Sequence, residues 1–181
     1  MLLQIVFHGR AGQGIVTAAE LLAVAAGAEG KHSQAFPVFG SEKRGPPVQS
    51  FCRISDAPIT IHEQVYEPDI TVVCDKTVMP TVNVCSGMKE KQGLAIINSA
   101  HEISLPICKR VFVVDGTSIA LKNFGKPIVN TVMLGALAAA TGVVRMESLE
   151  EAARKHFPGK VGEANAKAIR DCYDAVKAML E

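Results

Sequence analysis

The residues with chemistry to offer gather near the start of the chain. Gly9-Arg10-Ala11-Gly12-Gln13-Gly14 follows an apolar run, Leu2 to Phe7, and precedes an alanine-rich stretch from Ile15 to Ala28 with apolar residues at helical spacing. A glycine-rich turn between a strand and a helix start offers free backbone N–H groups at the positive end of the helix dipole. That corner suits an anion such as a phosphate. The glycines permit positive φ and close approach of another molecule. Gly12 and Gly14 supply the first two glycines of the dinucleotide fingerprint, but Thr17 stands where the third belongs. No acidic residue sits where a ribose would be held, since Glu29 falls at the helix end and Glu42 in a loop. No Lys-Ser/Thr pair follows Gly14, so the turn is not a Walker A loop.

A second cluster follows at Phe36-Pro37-Val38-Phe39-Gly40-Ser41-Glu42-Lys43-Arg44-Gly45-Pro46-Pro47. Glycines, prolines and charges predict a loop. Phe36 and Phe39 beside the charges make it a contact surface rather than a bare connector, with Lys43 and Arg44 able to offset phosphate charge.

The usual catalytic constellations are missing. No serine lies in a G-x-S-x-G elbow. His8, His32, His62, His101 and His156 share no metal-ligand spacing, so the sequence supports no metal site. His8, beside the glycine turn, reads first as a strand-end histidine bonded to backbone. The five cysteines include no C-x-x-C and read as buried free thiols. No residue is assigned a catalytic role.

The elements that must position these residues form one α/β domain over residues 1–181. Nearly half of the residues are apolar, enough for a core, and no apolar run reaches membrane-spanning length. Nineteen basic against eighteen acidic residues and no tryptophan argue against a nucleic-acid surface. The N-terminus shows no charged leader with a cleavage site, so no signal peptide is expected. Val48–Ile54 and Ile59–Ile61 read as a hairpin around Ser55–Pro58. Runs at 70–74, 94–98 and 110–115 read as buried parallel strands, with Asp75, Asn98 and Asp115 at their carboxyl ends, the edge where ligands bind in such sheets. Asp75 and Asp115 read as helix caps before catalytic groups. Pro80 leaves 77–85 ambiguous. Asn130 is expected to cap a helix ending at Gly142, Ser148-Leu149-Glu150-Glu151 to form a capping box, and 162–180 to form a terminal amphipathic helix. The expected fold is a three-layer, Rossmann-like, mostly parallel sheet with a β-hairpin addition and a helical C-terminal third.

Taken together, the segments resemble a family. Gly9 to Ala19 matches a G-x-G/A-G-Q-G-x-x-T-A opening, and Phe36 to Val48 matches an F-P-x-F/Y-G-x-E-R/K-R-G-x-P-V loop. Arg53-Ile54-Ser55, Pro68-Asp69, Asn130 and Asn165 fall where that family carries similar residues. The chain resembles the gamma subunit of 2-oxoacid:ferredoxin oxidoreductases, most of all the pyruvate type (pyruvate synthase). The indolepyruvate-type subunit and a stand-alone nucleotide- or CoA-binding module are the rival readings.

The resemblance implies a non-catalytic subunit of an anaerobic, cytoplasmic complex. That complex decarboxylates a 2-oxoacid with coenzyme A and reduces ferredoxin, using thiamine diphosphate, Mg2+ and 4Fe–4S clusters that this chain does not hold alone. It implies alpha, beta and ferredoxin-like delta partners and an inactive isolated chain, for which a homodimer stays open. It further implies coenzyme A or partner contact by Gly12, Gln13, Gly14, Lys43 and Arg44, and partner contact by Phe36, Phe39, Glu42 and Gly45.

Overall fold

The computed structural model describes residues 1–38 and 45–181. Six strands form one mixed sheet: β1 (Leu2–Arg10), β2 (His32–Val38), β3 (Pro47–Ser55), β4 (Ile70–Val73), β5 (Leu94–Asn98) and β6 (Arg110–Val114), in the order β2-β3-β1-β4-β5-β6. β1, β4, β5 and β6 are parallel neighbours, whereas β3 runs antiparallel between β1 and β2. The helices are α1 (Ile15–Ala28), α2 (Gly116–Phe124), α3 (Val132–Thr141), α4 (Met146–His156) and α5 (Gly159–Ala178). The expected α/β architecture and helical C-terminal third are present.

Alternation along β1 decides which face each side chain joins. Ile5 and Phe7 enter the main core with α1, α3, α4 and α5. Val6 points the other way, to Phe51 and Val65. In the parallel half, Val73, Ala95 and Ile97 are covered on this second face by the irregular segments around Val78, Val84, Cys85, Met88 and Cys108. The chain therefore leaves β1 toward one face, through α1, and leaves β4 toward the other. In an α/β sheet the carboxyl end between two such strands is a crevice.

Four local expectations change. The hairpin is β2–β3, not 48–54 with 59–61. β3 finds nine-residue register with β1 and seven-residue register with β2, while Ile59–Ile61 forms no strand. Pro58 lacks an N–H, Ala57 turns onto the Ser55 hydroxyl, and Ile61 is held through its carbonyl by the Gln34 side chain. Phe36 accordingly lies in strand β2, not in a loop, with its ring 5.3 Å from that of Phe51. Asn130 does not cap α3, whose N-cap residue is Thr131, and reaches elsewhere. Ser148 lies inside α4, which starts at Met146; the N–H of Arg145 just before it donates instead to the Glu29 carboxylate at the end of α1 (2.6 Å). The ambiguous 77–85 stretch opens as a 3-10 turn, Lys76–Val78, and continues as turns.

Candidate functional site

The glycine corner sits where β1 ends and α1 begins. Gly12 and Gly14 both take positive φ, +87° and +73°, and Gly14 is the left-handed N-cap residue of α1. Among the described residues no side chain caps α1, and its first turn holds no acid, so its leading N–H groups and dipole have no side-chain partner. Gly12 and Gln13 are exposed. The space where a Cβ on Gly12 would stand is open among the described residues.

Gln13 works inward rather than outward. Its Oε1 accepts the Arg10 N–H (2.6 Å) and its Nε2 donates to Asp75 Oδ2 (2.8 Å). Asp75 also accepts from the Thr77 N–H (2.9 Å), capping the 3-10 turn as expected. Burial pushes the Asp75 carboxyl up, but the hydrogen bonds from Thr77 and Gln13 and the charge of Arg10 outweigh it and hold the group below the usual carboxylate range.

Arg10 is the residue that sequence reasoning missed. Its Nε donates to Thr77 Oγ1 (2.8 Å), one terminal nitrogen to the Gly45 carbonyl (2.7 Å), and the other to the Thr77 carbonyl (2.9 Å). The Ala11 N–H adds a bond to the Pro46 carbonyl (3.1 Å). The foot of the charged loop is thus fastened to the glycine corner, and both are fastened to the end of β4. Of the expected loop contacts, Gly45 is exposed at φ +81°. Phe39, Glu42, Lys43 and Arg44 lie outside the described residues. Phe36 is removed from the loop by its place in β2, where the Arg53 guanidinium lies 5.2 Å from its ring centroid.

Beside the corner, a crevice of ≈ 470 Å³ opens along the carboxyl ends of β4, β5 and β6, lined by Gln13, Asp75, Lys76, Asn98, Asp115 and Thr117 among others. Asn98 is nine-tenths buried and spans it, donating to the Cys74 carbonyl (3.0 Å) and accepting from the Thr117 N–H (3.2 Å). Asp115 caps α2 by accepting from the Ser118 N–H (2.9 Å) and hydroxyl (2.6 Å), and these bonds hold its carboxyl below the usual range. Both strand-end aspartates are committed to capping.

His8 is buried in β1, 3 % exposed, and burial pulls its pKa down to about 4 against a weaker pull upward from a bond to the Val84 backbone. It is a neutral, packed histidine at working pH. Among the described residues, no three His, Cys, Asp or Glu side chains gather as a metal site. All five cysteines are free and buried.

This corner, loop foot and crevice are carried on a chain with extensive kinship. The family model described as "Pyruvate ferredoxin/flavodoxin oxidoreductase" matches residues 4–175. The pyruvate synthase subunit PorC of Methanothermobacter marburgensis is 51 % identical over 176 residues, 97 % of this chain and 98 % of that protein. The common gamma subunit of the pyruvate/ketoisovalerate oxidoreductases of Pyrococcus abyssi is 49 % identical over 179 residues, 96 % of each chain. The crystal structure of the pyruvate oxidoreductase subunit PORC from Thermotoga maritima superposes with a TM-score of 0.82 at 37 % identity, covering 96 % of each chain.

Proposed function

Since the chain belongs to the pyruvate ferredoxin/flavodoxin oxidoreductase family, we propose that it forms one wall of the coenzyme A site in that complex. The chain is a gamma-type subunit of a pyruvate or 2-oxoacid:ferredoxin oxidoreductase, a multi-subunit oxidoreductase. Thiamine diphosphate, Mg2+ and 4Fe–4S clusters belong to its alpha, beta and delta partners, which also pass electrons to ferredoxin. Among the described residues no helix is long and apolar enough to cross a membrane, and we place the complex in the cytoplasm.

One observation carries the reading: the open, uncapped start of α1 at Gly12 and Gly14, with the loop foot fixed beside it through Arg10. The residues fit a phosphate-bearing ligand. The α1 N–H groups supply donors, no acid in the first turn opposes the charge, and Lys43 and Arg44, which immediately precede Gly45 in sequence, carry charge that offsets phosphate. Gln13, with both ends of its amide engaged, shapes the turn rather than grasping the ligand. Coenzyme A, when bound, supplies the thiol that takes the acyl group. This chain's part is to orient the phosphates and to exclude water. Glu42, Lys43, Arg44 and Gly45 meet the catalytic subunits.

The test is the reconstituted complex carrying Lys43→Ala with Arg44→Ala. The expected result is a KM for coenzyme A raised about tenfold or more, the loss of one charge-assisted contact being worth 1.5–3 kcal/mol, with the KM for the 2-oxoacid unchanged. An unchanged KM for coenzyme A in an intact complex overturns the reading. Tight binding of ATP or NAD by the lone chain would favour a stand-alone nucleotide module instead.

A further inference from the structure

The second face of the parallel sheet is covered by two irregular segments. The first runs from the 3-10 turn at Lys76 to Gly93, and the second from Ser99 to Lys109. Both start at the rim of the crevice, where Lys76 Nζ donates to Ser99 Oγ (3.2 Å). They meet again at the far end, where the Lys91 N–H donates to the Ile107 carbonyl (2.8 Å) and the Lys109 N–H to the Gly93 carbonyl (2.7 Å). At that far end Cys108, flanked by Ile107 and Lys109, brings its sulfur within 3.6 Å of that of Cys85 of the first segment.

We propose that Cys85 and Cys108 are a reversible redox site, closing to a disulfide that staples the two covering segments across β5. The geometry distinguishes this pair from the other three cysteines. Cys52 lies within β3, Cys172 within α5, and Cys74 directly follows β4, all in the main core. Cys85 and Cys108 instead lie in turns, where the backbone can yield the last ångström and a half to bonding distance. They are 3 % and 7 % exposed, so the reaction proceeds through local opening of the covering layer rather than at a standing surface. Burial raises both thiols, Cys108 to about 12, which keeps them protonated and inert until that opening occurs.

The oxidant is a low-molecular-weight disulfide, RSSR. On opening, Cys85 loses its proton to solvent and its thiolate attacks one sulfur of RSSR. A Cys85–S–SR bond forms and RS⁻ leaves. Cys108 then loses its proton, its sulfur attacks that of Cys85, the Cys85–SR bond breaks, and the second RS⁻ leaves. Two protein thiols are oxidised, and one RSSR becomes two RSH once the thiolates take up the released protons. The product ties together, at their far end, the two segments whose other ends meet at the crevice rim.

The test incubates the full chain with oxidised glutathione under native conditions. Remaining thiols are blocked, the protein is unfolded, and the thiols are counted and peptides mapped. The expected result is a count falling from five to three, a single Cys85–Cys108 cross-linked peptide, and return to five after dithiothreitol. Cys85→Ala, confirmed folded by circular dichroism, should keep all four of its remaining thiols, whereas Cys108→Ala, likewise folded, should stop at the mixed disulfide, losing only the Cys85 thiol and gaining one glutathione. A count that stays at five, a bridge involving Cys52, Cys74 or Cys172, or a bridge between chains overturns the proposal. So does a folded single variant that still loses two thiols. Should either alanine variant fail to fold, the wild-type count and map decide alone.

Discussion

The Asn130 side chain donates from Nδ2 to the carbonyl of Gly14 (2.9 Å) across 116 residues of sequence, pinning the start of α1 to the segment that leads into α3. A Cβ on Gly14 would fall within 3.0 Å of that same nitrogen, and Gly14 holds φ +73°. Gly14→Ala should therefore suffer twice, from left-handed strain of about 1 kcal/mol and from displacement of a buried amide worth a further 1 kcal/mol or so. Asn130→Ala alone should cost roughly 1–2 kcal/mol. The double variant should cost clearly less than the sum, since removing Asn130 clears the space that the new methyl needs. Urea unfolding of the four species checks this; strict additivity would show that the two residues do not share the clash.

Arg10 makes a different prediction, about assembly of the corner. It holds Gly45, Thr77 and Asp75 together with its side chain only one-third exposed. Arg10→Lys keeps the charge but cannot reach three carbonyl and hydroxyl oxygens from one fork. The expected loss is about 1–2 kcal/mol of stability, together with faster cleavage by trypsin at Lys43 and Arg44, because Gly45, next to them in sequence, is released from β1. Limited proteolysis followed by mass analysis checks it. Unchanged cleavage there would mean that the Ala11 N–H to Pro46 carbonyl bond alone fixes the loop foot.

Much of this architecture was legible because it is written locally. The β-branched runs at 70–73 and 94–98 became buried parallel strands and that at 110–114 the alternately buried edge strand, and the glycines at 12 and 14 became the left-handed corner. What stayed hidden are pairings between distant residues. Nothing in the sequence near Asn130 announces Gly14 as its partner, and nothing near Ser148 reveals that Glu29, from another helix, serves the start of α4. The strand partner of β3 is likewise a contest between a three-residue segment next door and two long strands farther away. Burial of Phe51 and Cys52 decides it. Arg10 left one trace: an arginine wedged between a strand and a glycine turn, without an acidic neighbour in sequence.

The packing of α3 on α5 leaves no room at Gly135. A Cβ there would meet the backbone carbonyl of Ile169 and the backbone nitrogen of Tyr173, each closer than 3.0 Å. Backbone cannot rotate away as a side-chain tip can, so the helices must separate. Ala136 and Leu137, their fully buried neighbours, would lose contact with them. Gly135→Ala, favoured by helix propensity alone, should instead destabilise by about 3 kcal/mol. Gly142→Ala offers the contrast: its Cβ meets open space among the described residues, and it pays only for φ +65°, about 1 kcal/mol. Equal melting temperatures for the two variants would refute a close α3–α5 contact.

His8 sets the acid limit of the fold. Folded, its pKa lies near 4, lowered by burial; unfolded, it lies near 6.5. Below pH 6.5 the unfolded chain takes up a proton that the native chain refuses, so the native state loses stability as pH falls from about 6.5 toward 4. Below that both states are protonated and the loss levels off. The difference corresponds to roughly 3 kcal/mol at full development. His8→Gln removes the titration and should hold a nearly flat stability through that window, whatever it costs at neutral pH. Glu29 titrates separately. Burial raises its carboxyl, but bonds from the Arg145 N–H, Lys31 and Ser148 outweigh this and leave it depressed. Its contribution persists at pH values above the unfolded carboxylate range and fades only as pH falls below that range toward its lowered folded pKa. Urea unfolding of wild type and His8→Gln at pH 7.5, 6, 5 and 4.5 separates the two groups. Parallel curves for the two proteins would show that the imidazole is reached by solvent and protonated in the native state.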